Sequence, residues 1–239
     1  MAGGSEIDPY EIMLSPHISR KDAKVRKENT SPFSLLPSPF FLIPAYRHLL
    51  FFAYFANMLT VTHPWHGVSS GINAPRVVNA IIEIPQGSRA KYEIDKDTGL
   101  LKLDRIIFSS FYYPCNYGFI PQTYGDDKDP LDILVITSMP VQAMCLMEAK
   151  VLGVMHMVDS GDADDKIIAV AANDPSVRHY NNLEELPKHF FDELRHFFEE
   201  YKKLENKTVK VDELGDKHTA LNVINEAIKL YADTFRKKL

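Results

Sequence analysis

Cysteine is scarce: Cys115 and Cys145 are the only two in 239 residues. They form neither a CxxC pair nor the framework that staples small secreted domains, so a thiol-keeping intracellular compartment is the simpler reading. Dense basic tracts are missing as well. The one short run is Arg236-Lys237-Lys238 at the tail, and the formal net charge is −5. Without a basic stripe there is no electrostatic footprint for DNA or RNA, and nucleic acid is not an expected partner. No apolar run reaches the roughly 20 residues a bilayer-spanning helix needs. The longest unbroken one, Leu49 to Ala56, continues through Met58 and Leu59 but follows Pro44, Arg47 and His48. Internal repeats and low-complexity tracts are also absent. What remains is 45% hydrophobic and 25% charged, the balance of an ordinary globular protein of one large domain with an appendage, or of two modest domains.

The chain changes character near residue 62, which divides it into an N-terminal extension over 1–61 and a folded domain over 62–239. Met1 to about Glu28 is polar and mixed in charge, whereas Ser31 to Val61 is rich in Phe, Leu and Pro. A secretory signal would sit nearer Met1 behind a basic start, and a transit peptide would avoid the early acids Glu6, Asp8, Glu11 and Asp22. Three readings of the extension stay open: a packing or loosely ordered segment, which is favoured; a targeting or membrane-contact segment through residues 31–61; or sequence not native to the working protein.

Beyond Pro75 the pattern is strand-like. Val77 to Ile84 ends at Pro85, and Ala90 to Ile94 runs into the turn Asp95-Lys96-Asp97-Thr98-Gly99, which predicts a hairpin returning through Leu101, Leu103 and Arg105. Further strands are expected over Leu131–Ile136, Lys150–Val158 and Lys166–Ala171. Short strands at irregular spacing point to a barrel or strongly curved sheet rather than βαβ units. Two helices follow. After Pro187, the residues Phe190, Phe191, Leu194, Phe197, Phe198, Tyr201 and Leu204 recur at three- and four-residue steps, and about Ala220 to Phe235 carries Val223, Ile224, Ala227, Ile228 and Tyr231.

The most informative stretch is Tyr124-Gly125-Asp126-Asp127-Lys128-Asp129-Pro130-Leu131-Asp132, with four carboxylates in seven residues ahead of an apolar strand. Two carboxylates about 4 Å apart repel by about 4 kcal/mol at an effective dielectric of roughly 20, so convergent carboxylates in a pocket call for a cation or a shared proton. Hard oxygen donors without His or Cys point to Mg²⁺, Mn²⁺ or Ca²⁺ rather than zinc, with magnesium leading. An EF-hand loop fails, because counting from Asp127 the sixth and twelfth places are Asp132 and Ser138 instead of Gly and Glu. An acidic surface turn would suit the same Asp, Gly and Pro residues.

Asp127-Lys128-Asp129-Pro130-Leu131-Asp132 resembles the signature of family I soluble inorganic pyrophosphatases, plant-type through His63-Pro64-Trp65-His66. The likeness extends to Glu83-Ile84-Pro85, Lys91-Tyr92-Glu93, Asp104-Arg105, Tyr113 to Phe119, Asp159 through Lys166, and Phe197 to Lys202. It implies an α+β fold, a small closed OB-like β-barrel with two flanking C-terminal helices, and magnesium-dependent hydrolysis of pyrophosphate to two phosphates by a metal-activated water. By the same resemblance Asp127, Asp132, Asp159 and Asp164 are metal ligands, with Glu83 and Glu93 serving a further metal that arrives with substrate. Asp129 is the general base. Lys91, Arg105, Tyr113, Lys166, Tyr201 and Lys202 bind phosphate, and Tyr117 buttresses the metal aspartates through a hydrogen bond. Asp126 is a solvated turn residue and Cys115 is a packing residue. His63, His66, His156, His179, His189 and His196 show no metal-ligand spacing.

Two rivals are kept: a non-catalytic scaffold of pyrophosphatase shape, and a divalent-ion binding module. The small-molecule partner is pyrophosphate, and a homo-oligomer is compatible with the family. A cytoplasmic location is favoured, with the chloroplast or another organelle as the alternative.

Overall fold

The computed structural model describes residues 62–235 apart from Ser160. The extension over 1–61 and its membrane-contact reading therefore lie outside the described residues. The order of the elements is β1 (Val77–Ile84), β2 (Ala90–Ile94), β3 (Leu101–Ile106), β4 (Asn116–Phe119), β5 (Asp132–Ile136), β6 (Leu146–Asp159), β7 (Asp162–Ala163), β8 (Lys166–Ala171), α1 (Lys188–Glu200), β9 (Val209–Gly215) and α2 (Lys217–Phe235).

Five strands close on themselves in the order β1-β4-β5-β8-β6, with β6 returning to pair with β1, while β7 and β9 attach to β6. The pairings are antiparallel except β5 with β8, which run parallel and place Asp132 opposite Lys166. The β2–β3 hairpin forms a separate two-stranded sheet. The curvature expected from irregular strand spacing is thus present, built as a ring.

The period-two alternation of a strand sends successive side chains to opposite faces, and here both faces are covered. Ile133, Val135, Ile167 and Ala169 join a cluster that α2 completes with Ala220, Ile224 and Ala227. Leu134, Ile168 and Val170 join another that α1 completes with Leu194, Phe197 and Phe198. This accounts for β8, where all six residues are buried and no polar side is visible in the sequence. Each large apolar side chain so buried contributes about 1.5–3 kcal/mol. Gly118 is needed where β4 crosses β1, since a Cβ there would lie 1.9 Å from the Ile81 carbonyl oxygen.

The helices differ from expectation at their ends. α1 stops at Glu200 and the chain turns through a 3-10 segment at Lys203–Glu205, so Leu204 leaves the apolar face and is exposed. α2 begins at Lys217, three residues before Ala220, because Asp216 caps it by accepting the Thr219 backbone N–H at 2.8 Å. Three strands had no clear sequence signal: β4 is only four residues with an asparagine and a glycine, β7 is only two residues, and β9 alternates valines with charges. Among the described residues no helix is long and apolar enough to cross a membrane.

Candidate active site

The ring brings the ends of several strands to one rim. There, a cavity of about 590 Å³ is lined by Glu83 from β1, Lys91 and Glu93 from β2, Tyr117 from β4, Asp127 and Asp129 from the acidic loop, and Asp132 from β5. Asp159 from the end of β6, Asp164, Lys166 from β8, and Tyr201 with Lys202 after α1 complete the wall. Of the residues expected to hold metal, take the proton, bind phosphate or buttress the aspartates, all line this cavity except Arg105 and Tyr113.

Those two stand behind the wall. Arg105 pairs across the hairpin with Lys91, and its guanidinium is engaged by Asp104 and by Glu205 at 2.9 Å. Tyr113 is 2% exposed and packs its ring on Tyr117 and Phe197.

The acidic loop is shaped by its own backbone. The Gly125 N–H donates to the Asp129 carbonyl at 2.8 Å, the Asp129 N–H donates to Asp127 Oδ1 at 3.0 Å, and Lys128 sits at φ 69° between them. A Cβ at Gly125 would lie 2.6 Å from Asp127 Oδ1. The neck of the loop is tied through Thr123, whose hydroxyl donates to the Ile120 carbonyl and accepts the Leu131 N–H. The Thr123 carbonyl in turn accepts the Trp65 indole N–H at 2.8 Å. Asp126 is a turn residue outside this cavity's lining.

Lys166, 2% exposed, is the charged centre of the site. Its ammonium donates to Asp132 Oδ2 at 2.6 Å and to Asp164 Oδ1 at 2.8 Å, above the ring of Tyr117. The Tyr117 hydroxyl donates to the same Asp132 oxygen. Burial works against the lysine's charge, but the two aspartates override it and hold the ammonium above its ordinary range. Lys202 pairs with Asp159 yet is pulled below its ordinary value, first by burial and then in part by Lys91 and Lys166. Three ammonium groups close enough to repel one another are a ready seat for an anion.

The carboxylates show the complementary pattern. Burial, reinforced by Asp132, pushes Glu83 up to about 8, although its Oε1 accepts the Ile94 N–H at 2.7 Å. Asp132 is raised to about 6, by burial more than Lys166 lowers it, and burial also raises Asp127. The wall holds nine carboxylates against five lysines. That excess of negative charge is the kind relieved by a cation, and the donors facing the cavity are oxygens with no His or Cys among them. Among the described residues no three acidic, His or Cys side chains already converge on a single point. Lys166 stands between Asp132 and Asp164, while Lys96 and Lys202 neutralise Asp129 and Asp159. The donor chemistry fits a hard divalent ion, and its capture involves competition with these lysines.

The inorganic pyrophosphatase family matches residues 80–232 of the chain, nearly the whole of the ring and both helices. The chain belongs to the family I soluble inorganic pyrophosphatases. It is 52% identical over 171 residues to soluble inorganic pyrophosphatase 4 of Arabidopsis thaliana, covering 72% of this chain and 79% of that one. To soluble inorganic pyrophosphatase 2 of Chlamydomonas reinhardtii it is 47% identical over 176 residues, covering 74% and 92%. The crystal structure of inorganic pyrophosphatase from Thermus thermophilus superposes with a TM-score of 0.69 at 38% identity, covering 71% of this chain and 98% of that one. In this pyrophosphatase the thiol of Cys115 is fully buried and pushed up to about 12, which suits packing rather than attack. Sequence reasoning took Lys96 and Asp95 only as turn residues, although both reach the cavity wall; their place five and four residues after Lys91 was the available signal.

The Glu83 environment gives a pH signature in the metal-free protein. An unfolded chain releases the Glu83 proton near 4.5, whereas the folded chain keeps it to about 8. Stability measured by urea midpoint in a chelator should therefore carry a component that falls as pH rises through this window and then levels off. Glu83→Gln should lack that component. Equal slopes for the two proteins would rule this out.

Proposed function

We propose that this family member is an inorganic diphosphatase that hydrolyses magnesium pyrophosphate to two phosphates, with Asp129 as general base. The observation that carries the reading is the meeting of Asp127, Asp132 and Asp164 with Lys91, Lys166 and Lys202 on one wall, because a polyanion needs cations and a cation needs the carboxylates.

Asp127, Asp132, Asp159 and Asp164 would hold the metal, with Glu83 and Glu93 for a further ion brought with substrate. Bound magnesium would offset the substrate's charge and acidify the attacking water. Asp129, in the loop ahead of β5 and half exposed, takes that water's proton. Lys91, Lys166 and Lys202 grip phosphate oxygens as compact charges, with the Tyr201 hydroxyl beside them. Arg105 and Tyr113 complete this grip from behind the wall: Arg105 Nε and Nη1 are held by Glu205 and Asp104, while its Nη2 has no hydrogen-bond partner among the described residues and is the donor left for phosphate. Tyr117 holds Asp132 in place. The five-strand ring supports the OB-like barrel reading of the fold, and a cytoplasmic location remains the favoured compartment.

Phosphate release from pyrophosphate decides between this reading and the two rivals. Turnover is expected with magnesium and should vanish with excess chelator, returning when magnesium is restored. Metal binding without phosphate release would leave a divalent-ion module, and neither property would leave a scaffold.

A further inference from the structure

Lys96 lies in the turn between β2 and β3. The turn is stiff: Asp95 Oδ1 accepts the Thr98 N–H at 2.9 Å and its hydroxyl at 2.7 Å, and the Gly99 N–H donates to the Asp95 carbonyl at 2.7 Å. Gly99 takes φ 71°, with the ring of Pro64 packed where a side chain would project. The Lys96 carbonyl lies 3.2 Å from His63 Nε2. From this anchored base the side chain crosses to the acidic loop, where the ammonium pairs with Asp129 and donates to the Lys128 carbonyl at 3.4 Å.

The pair is half exposed, 49% for Lys96 and 47% for Asp129, and exposed ion pairs of this kind add only about 0–1 kcal/mol to stability. Its weight falls on placement. The backbone of Asp129 is fixed by Gly125 and Asp127, but among the described residues its carboxylate meets no cation other than Lys96. Lys96 also joins two walls that the ring does not join, the hairpin bearing Lys91 and Glu93 and the loop bearing Asp127 and Asp129.

We propose that Lys96 is a positioning residue for the hydrolysis, its ammonium fixing the Asp129 carboxylate and holding the hairpin against the acidic loop. The proposal rests on Asp129 as the base.

The test is a double-mutant cycle read by phosphate release from magnesium pyrophosphate, with kcat and KM measured separately at saturating magnesium. Lys96→Met is expected to lower kcat about 10- to 100-fold, the scale of a misplacement of about 1 Å, with KM changed less than about threefold and the urea midpoint preserved. Lys96→Arg should recover most of the loss. On an Asp129→Asn background, Lys96→Met should cost less than about threefold, because the partner it acts through is already gone. Unchanged kcat in Lys96→Met would overturn the proposal, as would a rise in KM alone, which is the mark of a direct grip on phosphate. A slow Asp129→Asn enzyme that loses a further tenfold with Lys96→Met would overturn the Lys96 role and leave the base assignment standing. A fully active Asp129→Asn enzyme would remove both.

Discussion

Asp129→Asn is expected to lower kcat by about 10²–10⁴-fold, the contribution of a positioned general base, or about 3–5 kcal/mol on the barrier. The substitution keeps the shape of the side chain and removes its capacity to accept a proton. Because Asp129 is half exposed and outside every strand, the urea midpoint should stay within about 0.5 kcal/mol of wild type. KM should move little, since the lysines proposed to meet phosphate are untouched. Turnover within threefold of wild type, in a protein of unaltered stability, would require a different base.

Lys166→Met should behave in the opposite manner, striking stability and turnover together. Methionine fills the volume, but Asp132 and Asp164 then face each other without the ammonium that now bonds to both at 2.6 and 2.8 Å. Stranding buried charges costs about 3–5 kcal/mol, and these two carboxylates, about 20% exposed, should fall at or below the lower end of that range. The loss should be large at pH 8 and smaller at pH 5, because Asp132, already raised to about 6, can escape the penalty by taking a proton in acid. Phosphate release should fall by at least about 100-fold, as expected when a preorganised charge is taken from a polar site. Urea midpoints at the two pH values, with kinetics at pH 8, test both parts. A variant equally stable at both pH values would show that Lys166 does not neutralise the pair.

Much of the site was legible because its donors are bunched. Asp127, Asp129 and Asp132 lie within six residues, and their spacing before an apolar strand carries meaning without any fold. Likewise α1 and α2 announce themselves through apolar residues at three- and four-residue steps. The charge pairing was not legible. Nothing in the order of residues says that Lys166 bonds to Asp132 34 positions away, since that contact exists only through the parallel register of β5 and β8. Lys96 reads as a turn residue until the hairpin is seen beside the acidic loop, and the Glu205 carboxylate on the Arg105 guanidinium is equally invisible in the order of residues. Leu204 continued the apolar spacing past the true end of α1, because periodicity alone carries no stop signal there. The strand Asn116–Phe119 was hidden by its brevity and its glycine, which β1 requires for close approach.

Closure of the ring by β1 on β6 has a consequence for how such a protein can be inherited. The groups around the cavity come from Glu83 through Lys202 and the ring strands from Val77 through Ala171, so a cut between β1 and β8 divides the ring and the cavity wall together. The unit of descent is the entire ring.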